Sequence, residues 1–206
     1  MIVKVCGMRD PKNIREVEEL GVDWMGFILW PKSPRFVPTV PRYLPQKTKR
    51  VGVFVDMNKD GLLIFIAAYR LDLVQFHGKE SPEFIRDVRD LVPGLKTIKA
   101  FSISTREDLL ATEAYERVCD YFLFDTKCDS VGGSGEQFDW SLLEAYQGKT
   151  PFLLSGGIGP DSIPALKEFH HPLWAGIDLN SRFESDKAYK DVEQLKEFLS
   201  QLSSIY

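Results

Sequence analysis

Eight short runs rich in β-branched and aromatic residues recur along the chain, and segments of helical spacing separate nearly all of them. The runs fall at residues 2–6, 24–29, 51–55, 73–76, 95–100, 121–124, 152–154 and 174–179. Most are continuously apolar, as a parallel strand covered on both faces requires. Strict alternation of strand and helix admits either an open doubly wound sheet or a closed barrel. Eight units within 206 residues favour the barrel. The expectation is therefore an α/β fold, a compact single (β/α)8 barrel spanning residues 1–206 as one domain.

Helices are expected at residues 11–20, 59–70, 81–91, 105–117 and 140–146, from the 155–162 loop to residue 169, and at 190–202. Asp10 and Pro11 supply a cap and a first-turn proline for the first of these, and Gly21 ends it. One connection breaks the pattern. After the second strand the segment VPTVPRYLPQ holds three prolines where a helix belongs. Proline removes a helical hydrogen bond and clashes with the preceding turn, so that helix should be shortened or absent.

A net charge of −4 gives no general attraction to nucleic acid or to anionic membrane, so any anionic ligand must be held by local groups. Cys6, Cys119 and Cys128 are odd in number and widely spaced, which suggests neither a disulfide framework nor a zinc ribbon. The opening MIVKVCGM is too short and polar for a signal peptide, and the longest apolar stretch, residues 61–68, is far below a membrane span. The reading is a soluble, cytoplasmic protein acting on a small molecule, with no nucleic-acid, membrane or obligate protein partner.

In such a barrel the site is built from strand C-termini and the loops that follow them. Gly156 and Gly157 follow the seventh strand, and Asn180 and Ser181 follow the eighth. Together they could cradle phosphate with backbone amides and a helix N-terminus, or the glycines could simply make a tight turn. Gly132, Gly133 and Gly135 do not have dinucleotide-binding spacing, and suit a covering loop or a plain connection.

Cys6 ends the first strand and Asp125 the sixth. A thiol and a carboxyl facing each other across a pocket would supply a base and an acid, the division that an aldose-to-ketose rearrangement needs. Each also has a structural reading, Cys6 as a small buried hydrophobe and Asp125 as a turn cap. Arg35 suits a carboxylate, or a surface ion pair. No histidine–carboxylate constellation can be assembled from the three histidines, so neither metal nor cofactor is expected.

These residues lie in segments that resemble phosphoribosylanthranilate isomerases: VKVCGM, MGFILWPKSPRFV, VGVFVDMN, LVQFHG, FLFDTK, GGSGEQFDW, LLSGGIGPDSI and GIDLNSRFE. The resemblance runs over nearly the whole chain and implies a TIM barrel. It also implies the Amadori rearrangement of N-(5-phosphoribosyl)anthranilate to 1-(2-carboxyphenylamino)-1-deoxyribulose 5-phosphate. On that basis Cys6 is the general base, Asp125 the general acid and Arg35 the ligand of the anthranilate moiety. Gly156, Gly157, Asn180 and Ser181 bind phosphate, and Gln75, His77 and Asp178 surround the substrate. The sequence departs from the family pattern in the proline-rich stretch, at Asn180 where serine is frequent, and at Arg182 and Phe183.

Overall fold

The computed structural model describes residues 1–126 and 140–204. Eight parallel strands close into a barrel in chain order. They are β1 (Ile2–Val5), β2 (Trp24–Ile28), β3 (Lys49–Phe54), β4 (Leu73–Phe76), β5 (Lys96–Ile103), β6 (Tyr121–Thr126), β7 (Phe152–Ser155) and β8 (Trp174–Leu179). The barrel closes where β1 pairs with β8, Lys4 opposite Asp178 and Val5 opposite Leu179. The Cys6 amide extends this seam by donating to the Leu179 carbonyl at 2.8 Å.

Side chains alternate across each strand, so every second residue faces the barrel axis. Trp24, Val51, Leu73, Ile98, Leu123 and Leu153 form an apolar plug on that axis. One or two steps further along the same faces the character changes. Leu73 gives way to Gln75 and His77, Leu123 to Asp125, and Ile2 to Lys4 and Cys6. The apolar floor excludes water from below, and the polar upper layers are left to bind and react.

Outside the barrel lie α1 (Pro11–Glu19), α2 (Lys59–Tyr69), α3 (Pro82–Leu91), α4 (Ile163–Glu168) and α5 (Val192–Ser203). Asp10 caps α1, Asn58 caps α2, Ser81 caps α3 and Asp191 caps α5, each accepting from backbone amides of the first turn. Ile14 and Val17 of α1 and Ile85 and Val88 of α3 press one apolar stripe each onto the strands.

No helix forms over residues 30–48, all of which are described. The chain instead makes a bridge between Ile28 and Phe36 and then turns back. The amides of this connection still need acceptors, and Glu18 of α1 supplies them. Its carboxylate takes hydrogen bonds from the Gln46 and Lys47 amides at 2.6 Å, the Thr48 amide at 3.2 Å and the Tyr43 hydroxyl. Burial opposes ionisation of Glu18, but these donors win and hold its carboxyl below the usual range.

Three expected helices differ in form. Glu107–Tyr115 and Trp140–Ala145 are 3-10 rather than α-helical. Their buried residues recur every third position, Leu109 with Thr112 and Trp140 with Leu143, which matches three residues per turn. After β7 the helix is split into a 3-10 turn at Pro160–Ser162 and the six-residue α4. A small antiparallel ribbon, β9 (Glu184–Asp186) with β10 (Tyr189–Lys190), was not legible in the periodicity. Among the described residues no helix is long and apolar enough to cross a membrane.

Candidate active site

A cavity of about 450 Å³ opens at the C-terminal mouth of the barrel. Cys6, Gln75, His77, Asp125 and Asp178 line it from the strand ends, and Gly156, Gly157, Asn180 and Ser181 from the loops after β7 and β8. Nine of the ten residues singled out from the sequence therefore meet around one space, the tenth being Arg35. Cys128, Gly132, Gly133 and Gly135 lie outside the described residues.

Cys6 is buried, and Gly26 of β2 makes room for it. A Cβ at Gly26 would stand 2.6 Å from the Cys6 sulfur. Burial pushes the thiol pKa up. The Lys4 ammonium pulls it down, Asp178 adds to the rise, and Lys190 again opposes it. Asp178 belongs to a buried ion pair, with Lys4 Nζ donating to its Oδ1 at 2.9 Å. Its other oxygen accepts from the Ser155 hydroxyl at 3.5 Å.

Asp125 stands three strands from Cys6 around the barrel, on β6. Its Oδ2 lies 3.8 Å from His77 Nε2. Burial, reinforced by the charges of Lys4 and Lys99, lowers the His77 pKa, so the imidazole is neutral near pH 7 and this contact is not an ion pair. Gln75 Nε2 lies 3.0 Å from His77 Nδ1 and orients the ring. Gln75 Oε1 is buried with no hydrogen-bond partner among the described residues.

Gly156 and Gly157 both take positive φ, 86° and 68°, a conformation that side chains disfavour. Two successive left-handed residues turn the backbone tightly at the mouth, next to the Asn180–Ser181 loop. The expected helix N-terminus contributes less than the sequence suggests, because only a 3-10 turn and the short α4 follow. Any anion held here relies chiefly on loop amides and polar side chains.

Arg35 does not line the cavity. Its planar fork is engaged by Glu184, Nε to Oε1 at 2.8 Å and Nη2 to Oε2 at 2.7 Å. The bidentate carboxylate expected from a ligand is supplied here by the protein. Lys190 Nζ also donates to Glu184 Oε1, at 2.7 Å, and to Asn180 Oδ1 at 2.8 Å. Asn13 of α1 fixes Lys190 in turn through both of its backbone polar groups. Two cations thus share one carboxylate beside the Asn180 loop, leaving a positive excess at that rim.

Lys4, Glu184 and Lys190 were not found from the sequence. Lys4 carried a usable signal, a charge inside an apolar strand at two residues from Cys6 and hence on the same face. Glu184 and Lys190 carried none, since their partners lie far away in sequence or across a turn. Among the described residues no group of three or more His, Cys, Asp or Glu side chains could hold a metal ion.

Comparison with known proteins places this geometry. The family model described as N-(5'phosphoribosyl)anthranilate (PRA) isomerase matches residues 3–201. An N-(5'-phosphoribosyl)anthranilate isomerase of Phocaeicola vulgatus is 51% identical over 202 residues, 98% of each chain. One from Parabacteroides distasonis is 49% identical over 209 residues, covering 98% of this chain and 93% of the relative. The crystal structure of phosphoribosyl anthranilate isomerase from Thermotoga maritima superposes with a TM-score of 0.81 at 28% identity, over 99% of this chain and 100% of that one. A second crystal structure, of the isomerase in complex with reduced 1-(o-carboxyphenylamino)-1-deoxyribulose 5-phosphate, gives a TM-score of 0.79 at 26% identity with the same coverage.

Proposed function

The chain belongs to the N-(5'-phosphoribosyl)anthranilate isomerase family, and from that premise we propose how its own side chains divide the reaction. The enzyme catalyses the Amadori rearrangement of phosphoribosylanthranilate in tryptophan biosynthesis. Asp125 donates a proton to the furanose ring oxygen, the C1–O bond breaks, and the anthranilate nitrogen's electron pair completes a C=N bond. Cys6, as thiolate, then takes the proton from C2. The resulting enolamine gains a proton at C1 as the C2 hydroxyl loses its own, giving the aminoketose.

The observation that carries this reading is the placement of Cys6 and Asp125 on separate strands facing one cavity over an apolar floor. Gly156, Gly157, Asn180 and Ser181 hold the phosphate, and the Lys190 ammonium bonded to Asn180 favours that end of the ligand. Gln75 holds the His77 ring in place beside the sugar. Asp178 and His77 fix the sugar between base and acid. Arg35, with Nε and Nη2 engaged by Glu184, offers its remaining edge to the anthranilate moiety. We read the whole chain as one catalytic domain, cytoplasmic, with a phosphosugar as its sole required partner.

The test mixes the enzyme with freshly formed phosphoribosylanthranilate and follows loss of the substrate's fluorescence. Cys6→Ser and Asp125→Asn should each lower the rate about 10²–10⁴-fold. Wild-type rates from either variant would overturn the assignment of that residue.

A further inference from the structure

His77 lines the cavity and stands 3.8 Å from Asp125, and Gln75 orients its ring. What sets the backbone beneath that ring lies outside the barrel. In register across four neighbouring strands stand Phe54 of β3, Phe76 of β4, Lys99 of β5 and Phe122 of β6. The three phenylalanines belong to the apolar core shared with the helices. An ammonium among them costs free energy unless its donors are met, and an apolar residue would serve packing alone without that cost.

Lys99 places its three donors on backbone carbonyls, those of Gly78 at 2.8 Å, Ala100 at 3.0 Å and Phe76 at 3.4 Å. Its side chain is buried, and the rings of Phe101 and Tyr115 lie against the ammonium. Two of those carbonyls flank His77, whose own amide donates to the Phe54 carbonyl at 2.8 Å. Glu80, equally buried and 3.8 Å from the ammonium, serves the amides of the same loops. It accepts from Asp56 at 2.8 Å and from Gly78 at 3.0 Å, and the Tyr115 hydroxyl donates to its carbonyl. Asp56 takes a φ of 49°, which a non-glycine residue rarely adopts, so the turn it makes needs holding.

We propose that Lys99, paired with Glu80, is a positioning residue for His77. The two clasp the loops after β3 and β4 onto β5, and so hold the imidazole at the sugar's place, facing Asp125, before substrate arrives. Neither touches the substrate or a reacting atom. The inference rests on the reading that His77 fixes the sugar between base and acid.

The deciding experiment is a double-mutant cycle on kcat/KM, with wild type, Lys99→Met, His77→Ala and the double variant. The ring resonances of the three histidines are recorded on the same proteins by NMR. Lys99→Met should lower kcat/KM at least about tenfold where His77 is present, and less than about twofold in the His77→Ala background, which has no ring left to misplace. The His77 signals, identified by their loss in His77→Ala, should shift in Lys99→Met, while those of His170 and His171, in the loop before β8, stay in place. Equal losses in both backgrounds, His77 signals that do not move, or all three histidines moving together overturn the proposal. If Lys99→Met does not fold, Glu80→Gln goes through the same cycle, with the same results expected and the same results overturning it. An impaired His77→Ala beside additive losses would leave the reading of His77 standing and remove the clasp. Wild-type kinetics from His77→Ala would sink that reading, and the clasp with it.

Discussion

Catalytic placement here depends on small residues and on the face each strand presents. Cys6 reaches the cavity because Gly26 has no side chain, and a methyl there would press on the sulfur at 2.6 Å. Gly26→Ala should therefore shift the thiol and lower kcat/KM by at least about tenfold. Stability should fall by only about 1–3 kcal/mol, as for an overpacked core. Steady-state kinetics beside urea unfolding checks this, and full activity would mean the sulfur tolerates displacement. The positions of Gln75, His77 and Asp125 were legible in the sequence because each sits two or four residues beyond an axis-facing partner on its own strand, whereas Asp178 came only through the family resemblance. The commitment of Arg35 to Glu184 was not legible. Those residues are 149 apart in sequence, and only the closed barrel brings the loops after β2 and β8 together.

At the scale of elements, carboxylates do work that helices do elsewhere. Glu18 organises the proline-rich connection after β2 by accepting its amides, so Glu18→Gln should cost about 2–3 kcal/mol at neutral pH. Because the folded pKa is depressed, this stability is present above the unfolded carboxylate value and is lost as pH falls through the folded one. Urea denaturation of both proteins from pH 7 to pH 3 should show the gap closing with acid, and a constant gap would contradict the account. Glu184 performs a similar service between the β2 loop and the β9–β10 ribbon. Its carboxyl is held below the usual range by Arg35 and Lys190 against the effect of burial. Glu184→Gln leaves the buried Lys190 and the half-buried Arg35 without their counter-charge and should destabilise by about 3 kcal/mol. KM should rise more than kcat falls, since the loops it joins bind the ligand. Unchanged KM would reduce the clamp to a fold-stabilising role. The sequence showed that a helix was missing after β2, through Pro38, Pro41 and Pro45. It did not show what replaced it, because Glu18 lies on a different element.

Seen whole, the molecule separates structure from chemistry along the barrel axis, an apolar plug below and a charged, hydrogen-bonding layer above. The strand count made the architecture readable, since eight apolar runs leave few other closures. The sequence placed helices at the 3-10 segments but not their form, because spacing by three and spacing by 3.6 scarcely differ over two turns. The chemistry is divided between the two strand ends, Asp125 opening the ring and Cys6 taking the C2 proton. Substrate deuterated at C2 tests this most directly, through the isotope effect on kcat in wild type, Cys6→Ser and Asp125→Asn. With a weaker base, C2 proton removal should limit the rate, so Cys6→Ser should show a larger primary effect than wild type. In Asp125→Asn ring opening should become limiting, and the effect should fall toward unity. The reverse pattern, or an effect indifferent to both substitutions, would contradict the assignment of base and acid.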